Sequence, residues 1–157
     1  MKEFFDTAFD LFGKRWALLT AGNEENYNTM TIGWGSLGTI WGKDMVTVYV
    51  RPNRYTYKFT EENDYFTVSI FGDEYKQDLT YLGRHSGRDE DKVAKTKLTA
   101  TAVENSVTFK EAEHTLLCKK IYAQDMDISQ FPEDVKARYY DGEPVHRMYI
   151  GEVIKVL

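Results

Sequence analysis

Strand-like runs follow one another along this chain with no helix between most of them. Residues 16–20, 29–34, 45–50, 65–71, 106–109, 113–123 and 146–157 are enriched in β-branched and aromatic residues and bounded by glycine, proline or polar clusters. Helical spacing is confined to fewer places. Phe4, Phe5, Ala8, Phe9 and Phe12 recur at helical intervals and stop at Gly13. Residues 55–62 predict a short helix. Residues 73–82 predict another, with Tyr75, Leu79 and Leu82 on one face and Gly83 ending it. Residues 92–97 and the acidic stretch 128–139 complete the helical set, residues 23–28 form a polar turn, and a glycine-rich loop runs through Gly42. About six or seven strands without strict β-α-β alternation suit a barrel better than a doubly wound parallel sheet. The pattern predicts a mainly β fold, a barrel with peripheral helices.

The one motif that argues otherwise fails on context. Gly33-Trp34-Gly35-Ser36-Leu37-Gly38 has the GxGxxG spacing of a dinucleotide fingerprint and follows a predicted strand. That fingerprint needs a helix opening at its last glycine, so that free N–H groups meet the pyrophosphate. Here the chain runs on through Thr39, Ile40, Trp41 and Gly42 into another strand. The glycines therefore mark a bend between barrel strands, where a flat ring can approach the backbone closely.

At 157 residues the chain is the length of one ordinary domain, read here as a single domain over 1–157. Hydrophobic residues make up 42% and charged residues 29%, which excludes a disordered chain. No apolar run approaches the ~20 residues of a membrane-spanning helix, and Glu3 and Asp6 stand where a secretory leader would be basic and then apolar. The lone cysteine, Cys118, has no internal partner for a disulfide, so the expected compartment is the cytoplasm. A net charge of −5 argues against a general nucleic-acid binder. What remains is a small enzyme or a small-molecule binding domain. Eleven tyrosines and nine phenylalanines supply a core and, in part, a pocket for a flat ligand.

Two basic clusters punctuate the acidic chain. Arg51-Pro52-Asn53-Arg54-Tyr55-Thr56 lies where a strand ends and a helix begins. It offers two guanidiniums, a hydroxyl and free helix N–H groups to a phosphate. Arg84-His85-Ser86-Gly87-Arg88-Asp89-Glu90-Asp91-Lys92 offers a hydroxyl, a flexible glycine, a bidentate fork and a point charge. Its Ser86, Asp89 and Asp91 also suit a helix start. The remaining chemistry-bearing residues form no constellation. His85, His114 and His146 lack metal-ligand spacing, and one cysteine does not complete a zinc site. Cys118 sits in the apolar run Leu116-Leu117-Cys118 and reads as a buried thiol. Glu111, Glu113, Asp125 and Asp127 read as solvated faces, and no GxSxG nucleophile elbow occurs. His146 and Arg147 open the last strand after the turn at Gly142 to Pro144, at a place that suits either structure or the mouth of a pocket.

Five segments, in order, resemble the flavin reductase-like branch of the FMN-binding split-barrel proteins, the group that includes flavoredoxins. They are residues 16–22 (WALLTAG), 28–31 (NTMT), 51–56 (RPNRYT), 86–92 (SGRDEDK) and 146–153 (HRMYIGEV). The resemblance spans nearly the whole chain. It implies a split β-barrel that forms a homodimer with FMN near the subunit interface. Carried over by position, Asn28, Thr29, Met30 and Thr31 line the isoalloxazine, mainly through backbone groups, with Trp34 nearby. Arg51, Arg54, Tyr55 and Thr56 hold the ribityl chain and phosphate, and Ser86, Gly87, Arg88 and Lys92 complete the phosphate site. His146 matches a histidine before the last strand, near the exposed ring face. The resemblance further implies an oxidoreductase in which NADH or NADPH delivers hydride to the flavin, and electrons pass on to free flavin, a partner protein or a small acceptor. No side chain is then required as acid or base. A flavin-binding electron carrier or sensor without NAD(P)H turnover, and a barrel that keeps only an interaction surface, are the alternative expectations.

Overall fold

The computed structural model describes residues 2–157. Its elements run α1 (Lys2–Gly13), β1 (Ala17–Asn23), β2 (Asn26–Ile32), β3 (Gly35–Ile40), β4 (Lys43–Val50), α2 (Thr56–Glu62), β5 (Tyr65–Ile70), α3 (Lys76–Arg84), β6 (Ala100–Val103), β7 (Ser106–Phe109), β8 (His114–Asp125), α4 (Glu133–Tyr139) and β9 (Arg147–Val156). Seven strands form one antiparallel sheet in the order β2-β1-β5-β8-β9-β4-β3, and β6 and β7 form a separate hairpin. The expectation of a mainly β barrel with peripheral helices holds.

The sheet closes because of one connection. β2 and β3 lie at opposite edges, yet only Gly33 and Trp34 separate them in sequence. Laid flat, seven strands at ~4.8 Å spacing would put those edges ~29 Å apart. The three Cα–Cα steps from Ile32 to Gly35 span at most ~11 Å. The sheet must therefore curl until its edges nearly meet. Register shifts between Leu117 and Cys118 and between Lys120 and Tyr122 supply the local bends in the long β8–β9 pair.

Curling creates the core. Ala17, Leu19 and Ala21 of β1, Val46, Val48 and Val50 of β4, Phe66 and Val68 of β5, Cys118 of β8 and Tyr149 of β9 pack in one cluster, although their strands span the sheet. Phe12 of α1 joins them from one end of the chain's first helix, and Phe59 of α2 from elsewhere. The alternate face of β1 is covered too: Leu18 packs with Leu79 and Leu82 of α3 and with Phe109 of β7. The β6–β7 hairpin seals β5 through buried hydroxyls, with Thr67 Oγ1 donating to the Val107 carbonyl at 2.6 Å and Ser69, Thr108 and Thr115 hydrogen-bonded to one another.

Several expected elements differ. The glycine-rich loop is a strand, β3, which pairs with β4 through a tight turn whose residues Trp41 and Gly42 both take positive φ (54° and 68°). Such a turn matches the right-handed twist of its flanking strands. The polar turn shrinks to Glu24 and Glu25, because β1 and β2 pair as far as Asn23 and Asn26. The 92–97 helix is only a 3-10 turn at Val93–Lys95, and the 128–139 helix is broken before Pro132. β6 was not expected: its residues are partly exposed and pair only with β7. In α1 Phe12 is buried while Phe9 is 73% exposed; the side chains of Phe4 and Phe5 lie outside the described residues.

Gly151 marks a close approach inside the barrel core. A Cβ there would sit 2.5 Å from Phe66 Cζ and 2.8 Å from Cys118 Cβ. Both neighbours are buried, so neither can swing aside. Gly151→Ala is expected to destabilise the fold by about 1–3 kcal/mol, seen as a lower urea midpoint; an unchanged midpoint would mean the core has room to adjust.

Candidate functional site

The two cationic turns, distant in sequence, meet at one cavity. Its volume is about 200 Å³, and its walls include Asn28, Met30 and Thr31 of β2, Arg54, Tyr55 and Thr56 at the start of α2, and Ser86, Arg88 and Lys92 after α3. The contact that joins the turns is close. Asn28 Nδ2 donates to Thr56 Oγ1 at 2.8 Å, tying β2 to α2. Gly87 then packs so tightly on Asn28 and the Tyr55 ring that any Cβ would collide with the Asn28 amide oxygen. The Arg88 guanidinium lies 5.3 Å from the Tyr55 ring centroid, and the Arg88 N–H donates to Ser86 Oγ at 3.2 Å. Only glycine lets the second turn lie against the first.

Lys92 is buried, whereas Arg54 and Arg88 are exposed. Its side chain is 4% exposed. Its ammonium donates to the Leu82 carbonyl at 2.8 Å and the His85 carbonyl at 2.9 Å, so it holds the end of α3 and the turn that follows. An ammonium has three donors, and two are used here. Burial, reinforced by the Arg54 charge, pushes its pKa from 10.5 down to about 8. A buried cation beside another cation is costly unless an anion joins them.

A second cavity of about 240 Å³ continues from the first. Met30, Thr31 and Arg54 belong to both. Its other walls are Ile32, Gly33, Trp34, Tyr49, Arg51 and His146, so it opens where the two edges of the sheet approach. The groove thus runs from a cationic end to an aromatic end. Trp34 is 44% exposed and meets the Tyr139 ring edge-on at 5.1 Å and the His146 ring at 5.2 Å. His146 is buried, with Nδ1 2.8 Å from the Tyr140 hydroxyl. Burial and the charges of Arg51 and Arg54 push its pKa from 6.5 down to about 4, so the imidazole is neutral near pH 7.

Of the residues singled out in the sequence, Asn28, Met30, Thr31, Arg54, Tyr55, Thr56, Ser86, Arg88 and Lys92 line the cationic cavity, and Trp34, Arg51 and His146 line its continuation. Gly87 lies at the wall next to an outer groove rather than in the cavity itself. Thr29 is turned away: its hydroxyl is buried and bonded to Thr20 Oγ1 at 2.8 Å. Arg51 is already engaged, donating to the carbonyls of Tyr139 and Pro144, both at 2.7 Å, so it clamps the turn after α4. Sequence reasoning missed Tyr49, Tyr139 and Tyr140. Tyr49 alternates with Thr47 along β4 and so could have been placed on one face of a strand. Tyr139 and Tyr140 sit in an acidic stretch with no signal of its own.

Among the described residues there is no cluster that could hold a metal ion and no helix long and apolar enough to cross a membrane. Cys118 is free and buried, and burial pushes its thiol pKa up to about 12, which makes it inert.

Comparison with known proteins gives the family and the fold. A family model described as a flavin reductase like domain matches residues 9–157. The fold is similar to flavoredoxin from Methanosarcina acetivorans (22% identity, 91% of this chain and 67% of that one, TM-score 0.73). It is similar to an FMN-binding protein from Thermus thermophilus (20% identity, 90% and 68% coverage, TM-score 0.71). It is similar also to nitrilotriacetate monooxygenase component B from Bacillus cereus (20% identity, 97% and 75% coverage, TM-score 0.70). No curated protein matches the chain.

The pKa of His146 has a consequence for stability. An unfolded histidine takes its proton near pH 6.5, whereas the folded one waits until about pH 4. Between these values the unfolded chain binds more protons, so stability falls as the pH drops through that window. In His146→Gln this part of the acid sensitivity is expected to vanish. Superimposable pH–stability curves for the two proteins would place the sensitivity elsewhere.

Proposed function

Because the chain belongs to the flavin reductase-like family, we propose that it is an FMN-dependent oxidoreductase whose groove holds the flavin with its phosphate at the cationic end and its ring beside Trp34. One observation carries the reading. Arg54, Arg88, Ser86 and Lys92 surround a single cavity that is continuous, through Met30 and Thr31, with an aromatic one. FMN is a flat apolar ring ending in a dianion, and the donor set suits both parts.

FMN, when bound, would supply the redox chemistry: hydride acceptance from NADH or NADPH and electron transfer to free flavin, a partner protein or a small acceptor. The chain's own residues bind and orient. Arg54 and Arg88 provide forked, charge-assisted donors, and the unused N–H of Lys92 provides a third positive contact. Ser86 adds a hydroxyl. Gly87, by admitting no side chain, lets these groups converge. Met30 and Trp34 exclude water from the ring end, and the backbone of residues 28–31 offers donors along the ring edge. No side chain at the site is required to take up a proton.

A homodimer with the groove near its interface is part of the same proposal. Leu37, Trp41 and Trp34 are exposed on or beside edge strand β3, and Phe9 is exposed on α1. Such an apolar surface suits a second copy of the chain. A cytoplasmic setting fits the unpaired, buried Cys118. The second reading, an electron carrier without NAD(P)H turnover of its own, is favoured by the likeness to flavoredoxin.

Purified protein is expected to be yellow, or to become so when FMN is added, and to sediment as a dimer. Arg88→Ala is expected to weaken FMN binding by about 1.5–3 kcal/mol, the worth of a charge-assisted hydrogen bond. A colourless protein that takes up no added FMN would overturn the proposal, and an unchanged affinity would remove Arg88 from the site. NAD(P)H consumption in the presence of FMN is the expected outcome for the reductase; a bound, chemically reducible flavin with no such consumption would select the carrier.

A further inference from the structure

We propose that Tyr140 is a positioning residue: its hydroxyl donates to His146 Nδ1 and thereby fixes the imidazole as the Nε2–H tautomer, a hydrogen-bond donor for an uncharged planar ligand bearing an acceptor oxygen beside Trp34. The functional half of this inference rests on the flavin reading; the tautomer does not.

The direction of the bond follows from what each choice leaves unpaired. Tyr140 and His146 are both buried, and the 2.8 Å contact is the one hydrogen bond of the Tyr140 hydroxyl among the described residues. If Nδ1–H donated, the tyrosine hydrogen would be stranded. A buried donor without a partner is expensive, whereas a hydroxyl that donates leaves only spare acceptor capacity. Tyr140 therefore donates, Nδ1 accepts, and the proton of the neutral imidazole resides on Nε2.

The pair is held from behind. Arg51 clamps the carbonyls of Tyr139 and Pro144 on either side of Tyr140 in sequence, and its guanidinium lies 4.9 Å from the Tyr140 ring centroid. The Phe131 ring packs on Tyr140 at 4.8 Å. This arrangement explains why Arg51 is engaged away from the cationic cavity.

In front of the pair lies room for a ligand. His146 and Trp34 line both the ring-end cavity and a larger one of about 500 Å³. The larger cavity is walled by Phe12 and Met126 together with Phe9 and Leu37 of the apolar surface proposed above for the second copy, so it lies beside that interface, and no charged side chain lines it. A ligand there gains by burying apolar area and would lose by bringing a charge. The Nε2–H is matched by a carbonyl or amide oxygen on such a ligand, and the shared wall places that ligand next to the ring end of the groove.

Nitrogen-15 NMR of histidine-labelled full-length protein tests the tautomer directly, with nicotinamide as the uncharged planar probe in FMN-loaded samples. His146 is expected to show an imine-type Nδ1 and a pyrrole-type Nε2, and nicotinamide to shift the Nε2 signals. Tyr140→Phe keeps the ring against Arg51 but removes the donor. It is expected to give a mixture of tautomers and to weaken nicotinamide binding by the inverse of the Nε2–H fraction that remains, about twofold for an equal mixture, with FMN affinity that of the parent. A pyrrole-type Nδ1 in the parent protein overturns the inference, whether or not Tyr140→Phe folds. So does nicotinamide binding that is indifferent to the substitution. A parent protein that binds no FMN overturns the flavin reading instead, and its histidine spectrum still decides the tautomer.

Discussion

A two-residue connection governs this molecule. Because Gly33 and Trp34 alone link the opposite edges of the seven-stranded sheet, the sheet cannot stay open. Closure brings apolar residues from β1, β4, β5, β8 and β9 into one core. It also leaves a seam where β2 and β3 approach without pairing. The groove lies along that seam, since β2 supplies Met30 and Thr31 and the link itself supplies Trp34. Barrel closure and site formation are thus one event, and the residue that bridges the seam is also the aromatic wall of the site.

The cationic end is assembled differently. Arg54, Arg88 and Lys92 repel one another, and nothing about their own charges would gather them. They are gathered by neutral contacts: the Asn28–Thr56 hydrogen bond, the packing of Gly87 on Asn28 and Tyr55, and the carbonyls of Leu82 and His85 that accept from Lys92. The fold therefore stores unfavourable electrostatic energy that an anion relieves. In a chain of net charge −5, the concentration of positive charge at one cavity also steers anions there.

The β-rich architecture and both cationic turns were readable in the sequence, because strand-forming composition, glycine and proline breaks and clustered arginines are local signals. What was not readable depended on pairing. β3 looks like a loop because Gly35 and Gly38 weaken its intrinsic strand preference, and it becomes a strand only beside β4. β6 exists only because β7 lies against it. Arg51 and Arg54 are three residues apart and chemically identical, yet Arg54 lines the cationic cavity and Arg51 is spent on the turn after α4. No local pattern separates them, since the partner carbonyls lie about ninety residues away.

The two ends of the groove are coupled through Arg54, which lines both cavities. Its charge adds to burial in disfavouring protonation of Lys92 at one end and of His146 at the other. An anion seated against Arg54 cancels much of that field. Lys92, in contact with the same anion, then gains a partner and holds its proton more firmly. His146 lies at the aromatic end, where desolvation is the larger cause of its shift, so it remains the neutral member. On the proposed reading, a dianionic tail would meet full positive charge at one end, while the ring at the other end would meet an uncharged imidazole rather than a cation. Burial and the Arg51 charge, both larger causes than Arg54 at His146, keep that end neutral when an anion neutralises Arg54.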